Sequence, residues 1–318
     1  PLGIDVDVRG RVWVADTANH RLQAFDPAEE PWVGSSVNGF GARSVAAVSA
    51  LADFDGSLYA GTLDWVAGAA IWQRDRASGG WQSTAAGGLG DLENVAVAEL
   101  YAFNDRLYAG GANLRRQTDP ATGAVTLSSR GGSLWRSSDG ASWETAAGSG
   151  FGVASNAIVS ALAGYKGMLY AGTTSVSPSA GLQVWRSASG DPGSWRQVAA
   201  GSFAAGPEQV AVTSMAVFTD TLFAGVCNRS AGAEVWLSQT GAAWVPAVPA
   251  GGAAPWRGAG PCVSALAEYD GYLYMATGGD ARLADRGGGV RRQIRDLDLA
   301  CRQVRRDLDQ THAPVGQG

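Results

Sequence analysis

The sequence predicts an all-β protein: a β-propeller of six four-stranded blades, with an amphipathic helix after it. Three observations predict this. First, the stretch LYAGT stands at 58–62 and again at 169–173, with the near-copies LYAGG at 107–111, LFAGV at 222–226 and LYMAT at 273–277. Second, Leu58, Leu107, Leu169, Leu222 and Leu273, which open these copies, follow one another at intervals of 49, 62, 53 and 51 residues. Such periods belong to solenoids, propellers and arrays. Third, the chain holds 45 Gly and 12 Trp, a mixture of turn formers and aromatics that suits many short strands better than helices.

A looser copy, VWVAD at 12–16, brings the count of repeats to six. The units then span about 1–40, 41–90, 91–152, 153–204, 205–256 and 257–289. Five or seven blades stay open if one unit is degenerate or strands are shared at closure. Within a unit the first strand resembles VSALADF and ends at a turn such as Asp55-Gly56 or Asp270-Gly271. Asp-Gly between apolar runs is a strong hairpin signal. The second strand is the LYAGT copy. Its large residues (Tyr59, Tyr108, Tyr170, Phe223, Tyr274) are expected to fill the space between adjacent sheets, and its Ala-Gly pair to let neighbouring backbones approach. The third strand carries an aliphatic residue before Trp, as in Ile71-Trp72, Leu134-Trp135, Val184-Trp185 and Val235-Trp236. The fourth starts at Trp81, Trp143, Trp195 and Trp244, and these tryptophans are expected to pack the wide outer part of each blade. Four strands per period describe a propeller blade.

The pattern departs from this script twice. Residues 112–131 are an insertion between the second and third strands of unit three, either a binding loop or a hairpin with no task. After LYMAT, Val290, Ile294, Leu297, Cys301, Val304 and Leu308 recur at steps of 4, 3, 4, 3 and 4. That stripe predicts an amphipathic helix over 290–309, followed by a tail at 310–318. The helix would dock on its own domain or on a partner. The alternative reading makes 289–304 the missing strand pair of the sixth blade.

Composition excludes several functions. The net charge is −5, so no global basic field draws nucleic acid. No apolar run is long enough to cross a bilayer, and Pro1-Leu2-Gly3 does not open a signal peptide. His20 and His312 are the only histidines, which leaves no His-rich metal centre and little room for a Ser-His-Asp triad. No phosphate loop occurs. Gly148–Gly152 superficially matches a dinucleotide fingerprint, but it precedes a strand rather than a helix. Asp53-Phe54-Asp55-Gly56 lacks the distal carboxylate of a calcium loop. No cofactor is therefore expected. The spacing of Cys227, Cys262 and Cys301 matches no metal motif. Cys227 and Cys262 follow and precede strands that share a face in neighbouring blades, which makes them a candidate disulfide.

Candidate site residues come from the loops of one face. Trp65, Arg115, Arg116, Asn228, Arg229 and Asp280 combine an aromatic ring with amide, guanidinium and carboxylate groups, the chemistry of a peptide or sugar contact surface. Asp64, Asp91, Glu93, Glu208 and Asp280 are the carboxylates available on that face for paired acid–base hydrolysis.

Two stretches resemble known families. PLGIDVDVRGRVWVADTANHRLQAFDP (1–27) looks like an NHL repeat, through Gly3-Ile4, Val6-Asp7, Gly10, Val12 to Asp16, Asn19 to Leu22, and Phe25. That resemblance implies that Asp16, Asn19 and Arg21 brace strands, and that the protein binds partners. SSDGASW (137–143), SQTGAAW (238–244) and the longer SASGDPGSW (187–195) are similar to the Asp-box hairpins of sialidase-like propellers. There the box is a fold element away from the active site, and the arginine constellation of a sialidase is not recognisable in this chain. The combined expectation is a non-enzymatic scaffold that binds protein or glycan through propeller-face loops, in an extracytoplasmic setting. The alternative is a glycan-active hydrolase or lyase with carboxylates at the channel mouth.

Overall fold

Antiparallel strands account for every copy of the repeat. The computed structural model describes residues 4–278 apart from 8, 17–19, 27–32, 178, 202, 204–207, 248–261 and 270. The helix expected over 290–309, the tail and Asp280 lie outside the described residues. Unit one carries β1 (Ile4–Val6), β2 (Val12–Asp16), β3 (Arg21–Phe25) and β4 (Val33–Gly34). Unit two carries β5 (Val45–Phe54), β6 (Ser57–Asp64), β7 (Ile71–Arg74) and β8 (Trp81–Ala85). Unit three has β9 (Asn94–Phe103), β10 (Arg106–Asn113), an inserted hairpin of β11 (Arg115–Thr118) and β12 (Val125–Ser128), then β13 (Leu134–Ser137) and β14 (Glu144–Ala147). Unit four has β15 (Asn156–Tyr165), β16 (Met168–Ser175), β17 (Leu182–Ser187) and β18 (Arg196–Gly201). Unit five has β19 (Gln209–Phe218), β20 (Thr221–Asn228), β21 (Gly232–Ser238) and β22 (Val245–Pro246). The described part of unit six is β23 (Cys262–Tyr269) and β24 (Tyr272–Gly278). Strands pair in chain order within each unit, and the insertion of unit three forms its own two-stranded sheet.

The first and second strands of units two to five join through the same two-residue turn, although its letters change. Asp55-Gly56, Asn104-Asp105, Lys166-Gly167 and Thr219-Asp220 all hold positive φ at both positions. This is the turn geometry whose twist matches that of the flanking strands. Adjacent units then touch along their inner strands by single bridging pairs: Leu63 with Ala96, Ala112 with Ile158, Thr174 with Ala211 and Cys227 with Cys262.

The apolar core lies between units. Tyr108, Leu134 and Ala146 of unit three share one cluster with Val159, Leu162, Leu169 and Ala171 of unit four. Tyr170, Leu182 and Val184 of unit four meet Val212, Met215 and Leu222 of unit five in the same way. No single sheet hides its own faces, which is why the repeat must be tandem. The Ala-Gly step of β6 permits the close approach: a Cβ on Gly61 would stand 2.6 Å from Val97 of the next unit. Buried hydroxyls add a second tie. Ser49 donates to the carbonyl of Val97 at 2.6 Å, Ser160 to that of Val212 at 2.7 Å, and Thr213 to that of Val263.

The outer part of units two, four and five is filled by a three-ring plug. A turn with positive φ at two central residues precedes the first strand of units two, three and four: Asn38–Gly41, Gly87–Gly90 and Ser149–Gly152. Phe151, from the third of these, stacks on Trp185 at 5.1 Å and meets Trp195 edge-on at 5.3 Å. Phe40 occupies the same place against Trp72 and Trp81, and Phe203 against Trp236 and Trp244. In unit three Leu89 takes that position beside Trp135 and Trp143.

Candidate functional site

The second strand of each complete unit ends in a short polar residue that turns the chain. Asp64 accepts the backbone N–H groups of Val66 and Ala67 at 2.8 and 2.9 Å, and its other oxygen accepts the Ser44 hydroxyl at 2.7 Å. Asn113 accepts the N–H of Arg130 at 2.9 Å, and Ser175 that of Ser177 at 3.1 Å. Asn228 accepts the N–H groups of Ser230 and Ala231 and donates to Glu234 at 2.8 Å. Asp64, Ser175 and Asn228 thereby mimic a backbone turn, whereas Asn113 ties the start of the insertion to Arg130 at its far end. Asn228 is only 1% exposed, so it shapes the loop that carries Arg229 and offers nothing to a ligand. Asp64 is likewise buried and saturated by donors.

The next residue in units two to five stands at one end of the inner strands: Trp65 and Val176 are half-buried there, Leu114 is buried and Arg229 is exposed. Around Trp65 a compact surface forms. The ring packs at its base against a cluster that includes Leu63, Val95, Ala112 and Leu114. Arg116, from the inserted hairpin, lies over it with Cζ 5.8 Å from the ring centroid. Such a contact is a cation–π pairing at an exposed site. Backbone bonds from Ala69 to Asn94 and from Gly88 to Ala69 fasten the 65–69 loop to the turn that leads into β9. Val66 (74% exposed) and Leu92 (58%) therefore project from adjoining loops of the same rim.

The charges of this rim are paired unevenly. Arg130 reaches Asp91 at 2.5 Å and Glu93 at 3.1 Å, engaging both carboxylates. Arg115 contacts Glu93 only at 3.8 Å, and its side chain is 63% exposed. The structure thus brings Trp65, Arg115 and Arg116 together, with Asp91 and Glu93 as counter-ions. Arg229 stands on unit five, beside Glu208, whose carbonyl accepts its N–H at 3.0 Å. The Trp65 group belongs to units two and three, after β6 and on β11.

Sequence reasoning passed over a second polar feature, on the inner strands. Asp5 of β1 accepts the N–H of Asp53 at 2.6 Å, and Glu99 of β9 lies within the electrostatic reach of Asp5. Burial, reinforced by the Asp5 charge, pushes the Glu99 carboxyl up to about 8. Burial also raises Asp5. The signal was present: units two, four and five have Ala50, Ala161 and Ser214 where unit three has Glu99, and a lone carboxylate in a run of small residues is costly without a purpose. At the opposite end of the inner strands a shallow depression of about 400 Å³ is lined by Phe54, Asp55, Phe103, Asn104, Asp105 and Ser138. Among the described residues no cluster of three His, Cys, Asp or Glu could hold a metal ion, and no helix is long and apolar enough to cross a membrane.

Cys227 and Cys262 are joined by a disulfide between β20 and β23, at the place where Leu63–Ala96, Ala112–Ile158 and Thr174–Ala211 bridge the earlier units.

Comparison with known proteins agrees with the repeat. The NHL repeat family matches residues 1–25. No curated protein matches the chain. Among solved structures the chain is similar to the WD40 repeats of RRP9, with a TM-score of 0.52, 14% identity, and coverage of 89% of this chain and 74% of that one. It is also similar to the PQQ-bound form of aldose sugar dehydrogenase from Streptomyces coelicolor, with a TM-score of 0.56, 14% identity, and coverage of 91% of both chains. At that identity the likeness is one of fold: the chain is a β-propeller repeat protein whose first unit matches the NHL repeat.

Proposed function

We propose that this protein is a non-enzymatic interaction scaffold, a six-bladed propeller that holds a protein partner on the rim around Trp65. One observation carries the reading: half-buried Trp65, with Arg116 over its ring, stands beside exposed Val66, Leu92 and Arg115, a surface of mixed aromatic, aliphatic and guanidinium character on a rigid base. Aromatic and arginine side chains dominate interface energetics. NHL and WD40 propellers commonly serve as interaction modules, which supports the same reading. Three of the five carboxylates that a glycan hydrolase could draw on are engaged elsewhere: Asp64 holds a turn, and Asp91 and Glu93 hold Arg130. A glycan would stack on the same Trp65 ring, so an array carrying both glycans and peptides separates the two partner classes. The Cys227–Cys262 bond supports an extracytoplasmic setting, where disulfides persist.

The test is site-specific photocrosslinking in the native host. A crosslinking residue at Leu92 is expected to give discrete protein adducts, while one at Asn104, on the opposite face, gives none. Absence of adducts at Leu92, or equal adducts at both positions, would overturn the proposal.

A further inference from the structure

At the end of the inner strands away from Trp65, two seams between neighbouring units share one frame, and one of them lacks a piece. Between units four and five the piece is Lys166. Its Nζ donates to the Gln239 carbonyl at 3.0 Å, meets the Asp220 carboxylate at 3.2 Å and lies 5.1 Å from the centroid of the Tyr165 ring. The Tyr165 hydroxyl stands 2.8 Å from the carbonyl oxygens of Asp220 and Gln239. An ammonium held by a carboxylate, a carbonyl and an aromatic ring thus closes that seam.

The seam between units two and three keeps the acceptors and lacks the ammonium. Strand register puts Phe54 at the place of Tyr165, Asp55 at that of Lys166, Asp105 at that of Asp220 and Ser138 at that of Gln239. The Tyr165 hydroxyl and the Lys166 amine have no counterpart there. At that place lies the depression of about 400 Å³, lined by Phe54, Asp55, Phe103, Asn104, Asp105 and Ser138. The nearby guanidiniums are engaged elsewhere. Arg106 pairs with Glu144 at 3.3 Å, Arg136 with Glu144 and Asp191, and Arg76 lies against Gly56 and donates to the Ser57 hydroxyl at 3.0 Å. Of the neighbouring carboxylates, Asp53 accepts the N–H of Gly56, and Asp139 those of Ala141 and Ser142. Among the described residues no cation pairs with Asp55 or Asp105.

We propose that this depression binds a small aliphatic amine, whose ammonium takes the place of the Lys166 amine beside Asp105 and the Ser138 carbonyl, with Asp55 as a second carboxylate and the alkyl chain along Phe54 and Phe103. An ammonium is the group that the chain itself sets in this frame, one seam further on. Here a second carboxylate stands where the internal amine would begin. A protein is the poorer fit, because none of the large apolar residues exposed on this molecule lines the depression, so it offers no interface core. The site is independent of the Trp65 rim, and a small amine leaves a crosslinker at Asn104 without protein adducts.

The test titrates n-butylamine into the whole chain and follows the backbone amide signals of Asp55, Asn104, Asp105 and Ser138 by two-dimensional NMR. Saturable shifts centred on these residues are expected, weakened by salt, and none with n-butanol. Asp55 and Asp105 hold positive φ, which Asn also accepts. Asp55→Asn with Asp105→Asn should therefore keep the parent's melting temperature and weaken binding by about fivefold or more. Phe54→Tyr with Asp55→Lys rebuilds the seam of units four and five, and should abolish binding while melting no lower than the parent. Equal shifts with n-butanol, shifts spread without saturation over other exposed carboxylates, or unchanged binding by either double variant would overturn the proposal. Protein adducts at Leu92 with no amine shifts would remove this site and leave the scaffold standing.

Discussion

Gly140, in the turn between β13 and β14, lies directly against the phenol hydroxyl of Tyr59 in the unit before it, so closely that a Cβ there would overlap the ring. The relation recurs around the molecule: Gly190 lies on Tyr108, and Gly241 on Tyr170. Each glycine is held by the hydroxyl of a serine three residues earlier, Ser137, Ser187 and Ser238, which accepts its N–H at 2.8 Å. The outer turn of one blade thus closes over the large residue of its neighbour's second strand. In the first turn of this kind Asp139 accepts the N–H groups of Ser142 and Ala141 and the Ser137 hydroxyl, which hold its carboxyl well below the usual range. Burial, and then the charges of Asp139 and Asp55, push the Tyr59 phenol up.

Gly140→Ala is therefore expected to cost about 2–4 kcal/mol, from overlap with Tyr59 and from its φ of +72° together. Gly193→Ala is the control. It has φ +79° with nothing near its Cβ position, and should cost only about 1 kcal/mol. In a Tyr59→Leu background the cost of Gly140→Ala should fall toward that control value. Denaturant unfolding of the four variants measures the coupling, and additive costs would remove the latch between blades.

Much of this architecture was legible because the second strands are buried on both faces. Such strands tolerate few letters, so LYAGT repeats visibly and predicts the blade. The plug residues were harder to see. NGFG, GGLG and SGFG share only a glycine frame. Their role depends on contacts with tryptophans that lie more than thirty residues downstream. At the site, Trp65, Arg115 and Arg116 converge because the insertion begins one residue after β10 ends. Asn228 was misread because sequence alone does not distinguish an amide offered to a ligand from one closing its own turn. Glu99 escaped notice because its signal appears only when the first strands are aligned, where units two, four and five have Ala50, Ala161 and Ser214.

Phe151→Leu should cost far less than Phe151→Ala. Leucine already plugs unit three, where Leu89 sits beside Trp135 and Trp143. Loss of most of this half-buried ring should cost about 2–3 kcal/mol, below the range for a fully buried one, whereas the leucine variant should lose about 1 kcal/mol. Thermal melts followed by tryptophan fluorescence check this, since Trp185 and Trp195 line the plug. Equal losses would mean that aromatic stacking, rather than filled volume, sets the stability of the blade.

Ala98 stands where Ser49, Ser160 and Thr213 donate to the next unit's carbonyl. Ser160→Ala should then cost about 1 kcal/mol. Ala98→Ser should return a similar amount by bonding the Val159 carbonyl, which lies close to Gly110 in the matching place. Urea midpoints of the two variants should move in opposite directions.

Reduction of the Cys227–Cys262 bond should lower stability by about 3–4 kcal/mol, given a separation of 35 residues. The chain has 3 cysteines, so one thiol should react without reductant and three after reduction in denaturant. Three reactive thiols in both conditions would show that units five and six are held without the covalent tie.

Glu99 gives the fold a pH dependence whose sign is fixed. Its carboxyl is raised to about 8 in the folded chain from an ordinary 4.5, chiefly by burial and then by the charge of Asp5. Below the ordinary value both states hold the proton, and the site costs nothing. Between that value and about 8 the unfolded chain ionises while the folded chain does not, so stability falls as pH rises; above 8 the full penalty is in place, on the order of 4 kcal/mol. Glu99→Gln keeps the shape and removes the ionisation. The variant should match the parent near pH 4, exceed it increasingly through pH 6 and 7, and hold a constant advantage above pH 8. Asp5→Asn should reduce that advantage only in part, because burial rather than the neighbouring charge dominates. Chemical denaturation at a series of pH values gives both curves, and a parent and Glu99→Gln pair that stay parallel from pH 4 to 9 would mean that Glu99 reaches enough water to ionise normally.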